Sequence, residues 1–255
     1  MRKAAADARS ESKLLVAAMQ DLKQNDLEGN ITIGLNKDSS LSYLLIQTGT
    51  MKQLAEKFCD VLFIDGVYKV NIEGFPLYTV LCEDGTGRGR AVCYMFVENE
   101  SKEVLNSAFT EFISLNSFVQ GRCIVVVVEK DFNEISILKA LLPKAALLLC
   151  IFHVLQAFQR KINKLHFLVK EELFKYAKKF VYFLTELQYN DCISRVKEIS
   201  KEFYEYYMEN WLSCKEMWVP CFQENVPHMG NRTNNRIERH NLEIKTCLKP
   251  HGPLK

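Results

Sequence analysis

The chain is expected to form an α/β core around a mixed sheet: three antiparallel strands, then parallel strands with crossover helices, and a helical insertion before the last helix. Two observations predict it. From Cys59 to Glu100, three strand-like stretches follow one another through short links, which implies an antiparallel meander. From Ser101 to Leu165, apolar strands alternate with amphipathic helical stretches, the pattern of crossover connections. At 255 residues with 48% hydrophobic content, the chain can bury a core of this size.

Lys3 to Leu22 reads as a helix, with alanine and leucine on one side and charge on the other. Asn25 to Ser40 turns polar and marks a connection that holds a short strand at Ile31 to Leu35. Tyr43 to Gln47 reads as a strand and Thr50 to Phe58 as a short helix. GFPLYTVLCEDG and GRGRAVCYMFVENE then pair across a glycine-rich turn. In SKEVLNSAFTEFISL, Val104, Leu105, Ala108, Phe109, Phe112 and Ile113 recur at helical spacing behind the N-terminal signal Ser101. CIVVVVEKD is the most apolar strand, FNEISILKALL a helix ending before Pro143, AALLLC a further strand or a buried helical turn, and FHVLQAFQRKINKL a helix. Lys170 to Trp211 forms a block of two or three helices whose charges read as solvated faces. An irregular segment follows, and a last helix starts near Asn235. The expected division is 1–49 as an N-terminal helix and connection, 50–165 as the core, 166–215 as the insertion and 216–255 as the segment and helix that complete the core.

The core is organised around CDVLFIDGVYKVN. Val61 to Ile64 is too short for a free-standing helix and suits a strand buried on both faces. Asp65 would then stand where that strand emerges into solvent. A dry, unpaired carboxylate there would cost several kcal/mol, so it should meet water, a cation or a metal. Asp65-Gly66 is also a strong turn dipeptide, and on this window alone the turn is the better-supported reading.

Basic residues number 33 against 31 acidic ones, so any nucleic-acid site must be local rather than a property of the total charge. Nine cysteines without a repeating spacing fit free thiols in a reducing compartment. The first residues lack the apolar core of a secretory signal, and no run approaches the roughly 18 apolar residues that span a bilayer. No membrane partner is expected. An intracellular location is, the nucleus ahead of the cytoplasm, although no lysine/arginine block marks it.

Four strings, FIDGVYKVN with GFPLYTVLCEDGTGRGR, VVVVEKDFNE, LLLCIFHVLQAF and NRTNNRIERHNLEIK, occur in order between about Thr50 and Lys249. In them the chain resembles the RNase H-like domain of Mutator-like element transposases, and more closely the related domain of SWIM zinc-finger proteins of types one and three. The resemblance implies an RNase H-like fold and makes Asp65 the first acidic position of a DDE site. In such a site, two magnesium or manganese ions roughly 3.5 to 4 Å apart activate a water or hydroxyl and stabilise the leaving oxygen. The third position falls on Glu238. Asn235 with Glu238 also has capping-box spacing, and both readings can hold together.

The second position departs from the family's pattern, with Glu129 where an aspartate is expected. Asp131 does not stand in for it, because Asp131 and Glu134 have capping-box spacing for the following helix. Glutamate can bind magnesium or manganese, but its extra methylene displaces the carboxylate by more than the roughly 0.5 Å a preorganised site tolerates. The expectation is a catalytic set, Asp65, Glu129 and Glu238, that is inherited but weakened.

Cys150 and His153 form a CxxH pair that the family also carries. As a zinc site it is half complete, and zinc is not expected. Cys214, Cys221 and His228 could be brought near it. A buried thiol and a histidine hydrogen-bonded at a helix start account for the pair more simply. The SWIM finger that follows this domain in the resembled proteins is missing, since no CxC string occurs, so the chain reads as a truncated product or a member without the finger.

For nucleic acid the candidates are Arg88 and Arg90 on the glycine-rich turn and Arg232, Arg236, Arg239 and Lys245 around the last helix, with Asn234, Asn235 and Asn241 as hydrogen-bonding partners. An ordinary solvated hairpin tip explains Arg88 and Arg90 equally well. Three functions remain open. The preferred one is a domesticated, transposase-derived module that binds DNA with a degenerate DDE site. The others are a working metal-dependent nuclease or transposase, and a protein-interaction scaffold contacting partners through its helical block.

Overall fold

The computed structural model describes residues 19–68, 74–182, 185–223, 225–228, 230–231, 233 and 235–247, the side chains of Lys245 and Cys247 excepted. The helix expected from Lys3 to Leu22 lies mostly outside them; residues 19–25 are helical. Seven strands, β1 (Asn30–Leu35), β2 (Leu41–Gln47), β3 (Val61–Val67), β4 (Leu77–Glu83), β5 (Gly89–Val97), β6 (Val125–Val128) and β7 (Ala146–Leu149), form one mixed sheet. Their order is β1-β2-β5-β4-β3-β6-β7. The helices are α1 (Gly49–Phe58), α2 (Lys102–Leu115), α3 (Val119–Arg122), α4 (Phe132–Leu141), α5 (Ile151–Ile162), α6 (Phe167–Phe180), α7 (Glu186–Ile199), α8 (Lys201–Asn210) and α9 (Asn235–Cys247).

The chain divides into two compact units. The first comprises Met1–Val126, Asp131–Ala145 and Asn235–Lys255, the second Val127–Lys130 and Ala146–Asn234. In the first, β1 to β5 pair antiparallel, and the three-stranded meander expected from the sequence gains β2 and β1 beyond β5. All six inward positions expected of α2 are buried. Ser101 caps this helix by accepting from the Val104 N–H. Asp131 Oδ1 likewise accepts from the Glu134 N–H at 2.8 Å, so Asp131 is the N-cap of α4.

In the second unit, α5 to α8 pack in succession around Phe158, which is fully buried. Its ring meets Phe203, Trp211 and Trp218 edge-on at 5.7, 5.0 and 5.5 Å between centroids. Such edge-to-face pairs add to the burial of the rings themselves. The block expected over Lys170 to Trp211 is thus three helices, and Phe180, Tyr189, Phe203, Tyr207 and Trp211 in it are core.

The eight cysteines whose side chains are described are all free, seven of them buried. Among the described residues, no helix is long and apolar enough to cross a membrane.

Candidate metal and phosphate site

Asp65 is the fifth residue of β3, an interior strand of the sheet, and is only 4% exposed. It pairs in register with Thr79, and Gly66 pairs with Tyr78. The expectations of a turn, and of a carboxylate emerging into solvent, therefore both give way to a carboxylate held inside the ladder. Its local support comes from α9. Asn241 Nδ2 donates to Asp65 Oδ2 at 2.5 Å, and Thr79 Oγ1 donates to Asn241 Oδ1 at 3.4 Å. Asn241, expected at a nucleic-acid surface, is instead 3% exposed. Its place follows from helical spacing, since Ile237 and Asn241 stand one turn apart on the face that packs on β3, β4 and β5.

Glu238 lies in the first turn of α9, half-buried. Asn235 is the first residue of that helix and so is not its N-cap; residue 234 is outside the described residues.

In the second unit, Glu129 directly follows β6, and His153 sits in the first turn of α5 behind β7. His153 Nδ1 is 3.1 Å from Glu129 Oε1. This pair was not anticipated from the sequence. The available signal was positional: each residue follows closely on the end of a short, wholly apolar strand. Cys150, the residue before α5, is fully buried, and its N–H donates to Val128 O at 2.9 Å. Cys214 is buried on a 3-10 turn after α8, and Cys221 lies on the next one. Asp65 and Glu238 in the first unit supply two carboxylates, and Glu129 and His153 in the second a carboxylate and an imidazole, ligand types that suit a divalent metal ion.

The first unit also carries a basic cleft of about 600 Å³. Arg88, Gly89 and Arg90 line it from the β4–β5 hairpin, and Arg236, Arg239 and His240 from α9. Four of the six expected basic residues thus converge across about 150 positions of sequence. Arg232 and the Lys245 side chain lie outside the described residues.

Arg236 has a second task. Its Nη2 pairs with Glu83 Oε1 at 2.9 Å and its Nε donates to Gly87 O at 3.1 Å, tying helix to hairpin. The hairpin tip is itself ordered. Asp84 Oδ1 accepts from Thr86 Oγ1 at 2.6 Å, from Thr86 N at 2.8 Å and from Arg88 N at 3.1 Å, and these bonds hold its carboxyl below the usual range. Gly87 takes the left-handed backbone the turn needs, with φ +80°.

Behind the arginines, His240 Nε2 and Tyr94 Oη meet at 2.6 Å with their rings stacked 5.8 Å apart. Burial lowers the pKa of His240 and pushes the Tyr94 phenol up to about 12.

A mixed sheet of this order, with a buried aspartate on an interior strand, places the chain in the RNase H-like class. Residues 20–148 match the family model described as zinc finger SWIM domain-containing protein 1/3, RNaseH-like domain, and the chain belongs to that family. It is also 22% identical over 218 residues to the PKS-NRPS hybrid synthetase cheA of Chaetomium globosum. That alignment covers 74% of this chain and 5% of the synthetase, so the chain spans a small part of that protein's length.

Proposed function

We propose that this is a domesticated, transposase-derived module that binds DNA through the basic cleft and retains a weakened DDE site. The observation that carries the reading is the convergence of Arg88, Arg90, Arg236 and Arg239 on one concave surface. Guanidinium groups so placed neutralise successive phosphates, which gives sequence-independent, salt-dependent affinity.

On this reading Asp65, Glu129 and Glu238 hold magnesium or manganese, with His153 orienting Glu129 or joining it as a ligand. Three carboxylates suit such hard cations, and the imidazole favours manganese. A bound ion would activate a water and stabilise the leaving oxygen of a phosphodiester. The chain's own contribution is orientation: Asn241 fixes Asp65, and His153 steadies the longer side chain at position 129. A nuclear location goes with a DNA partner. The boundaries 1–49, 50–165, 166–215 and 216–255 remain our proposed division of the ancestral domain.

Binding to labelled duplex DNA should weaken steeply with salt, and Arg88→Ala with Arg239→Ala should reduce both affinity and salt slope. Affinity indifferent to salt and to these substitutions would sink the DNA reading. The second reading, a working nuclease or transposase, is favoured by the steadied Glu129 carboxylate. It requires manganese-dependent cleavage that disappears in Asp65→Asn.

A further inference from the structure

A second cavity, of about 570 Å³, lies wholly within the second unit. Its lining includes Tyr176, Lys178 and Lys179 of α6, Tyr182 just beyond it, and Gln188 and Arg195 of α7. The volume falls within the roughly 300–1,000 Å³ of small-ligand sites. Three cations line it against a single carboxylate, Asp191.

The cations are braced. Lys178 Nζ lies 4.6 Å from the Phe174 ring centroid and Lys179 Nζ 4.7 Å from that of Tyr176. The Arg195 guanidinium pairs with the Glu198 carboxylate one turn further along its helix. Tyr182, by contrast, is 74% exposed, a large ring left at the edge of a basic hollow. The floor is chemically quiet: Cys192 is buried, its Sγ 3.8 Å from Tyr176 O, and burial pushes its thiol up to about 12, so it is no nucleophile at neutral pH.

An exposed ring beside fixed cations is how proteins hold single-stranded nucleic acid, bases stacking on the aromatic face and phosphates meeting the charges. We infer that this cavity is a binding site for single-stranded nucleic acid, one base stacking on Tyr182 and its phosphates facing Lys178, Lys179 and Arg195. The site is separate from the arginine cleft and does not depend on a metal.

The test is fluorescence anisotropy of the full chain with labelled oligothymidylate, with labelled duplex, and with ATP as competitor. Tyr182→Ala should weaken oligothymidylate binding roughly tenfold, the loss of one stacked base, while Tyr182→Phe keeps most of it. Lys178→Ala with Lys179→Ala should lower the salt slope for the single strand and leave duplex binding unchanged. Arg88→Ala with Arg239→Ala reads the other cleft, so failure of either site is seen separately. Unchanged single-strand affinity in folded Tyr182→Ala would overturn the inference, as would ATP binding that needs Tyr182 when the oligonucleotide does not.

Discussion

Asn241 reaches from the last helix to Asp65, 176 residues earlier in the chain, and donates to its carboxylate at 2.5 Å. Both side chains are buried, so this bond joins the docking of α9 to the state of the acidic strand. Asn241→Ala is expected to destabilise the protein by about 1–3 kcal/mol, the range for removing one partner of a buried polar group. It should also weaken manganese binding. Urea denaturation and calorimetric titration of the same variant read the two effects. Full stability in Asn241→Ala would mean that the bond to Asp65 adds nothing to the anchoring of α9.

Gly89 sets how closely that helix approaches the β4–β5 hairpin. A Cβ built there would lie 2.7 Å from Leu81 Cδ2 and 2.8 Å from Arg236 Cβ. The leucine end can turn away, but the arginine Cβ is fixed to the helix backbone. Gly89→Val should therefore cost about 1–3 kcal/mol by overpacking and reduce duplex affinity by displacing Arg236. A variant with wild-type melting and binding would show that the helix moves freely.

Much of the fold was legible because its signals are local. The six buried residues of α2, the Asp131 cap and the hairpin at residues 83–89 each follow from spacing within a few positions. At Asp65 the local signal alone stops short. Asp-Gly is a turn within its own window, and what keeps it in a strand is the ladder to Thr79 and a distant asparagine. Tyr94 with His240, and Arg236 with Glu83, are contacts between residues about 150 apart, for which no local pattern exists. The basic residues themselves were legible; their convergence, and Arg236's share in holding the fold, were not.

His240 gives a pH dependence of definite sign. Burial lowers its pKa below the ordinary 6.5, so the native state binds fewer protons than the unfolded chain as pH falls through that range. The stability its neutral form contributes is complete above about 6.5 and is lost as the imidazole is forced to protonate. His240→Gln should flatten that part of the profile, measured as urea midpoint against pH. An equally steep fall in the variant would assign the effect to other groups.

Phe158 is the hub of the second unit's aromatic core, fully buried and ringed by Phe180, Phe203, Tyr207, Trp211 and Trp218. Phe158→Ala should cost about 3–5 kcal/mol and collapse the near-ultraviolet circular dichroism of the two tryptophans. Retention of that signal would mean the cluster repacks around the gap.

On the proposed reading, Glu129 and His153 decide how well the acidic site holds a metal. If His153 orients the carboxylate from outside the metal's coordination, His153→Ala should cost roughly 10–100-fold in manganese affinity, the usual effect of losing such a partner. Glu129→Asp withdraws the carboxylate from the 3.1 Å contact with His153 but restores the shorter side chain the resembled family carries. Under the weakened-site reading, Glu129→Asp should raise manganese-dependent cleavage of labelled duplex above the wild-type level, and Asp65→Asn in the same background should abolish the gain. If instead the wild type cleaves and Glu129→Asp is slower, the glutamate is the working ligand and the His153 contact is what makes its extra length tolerable.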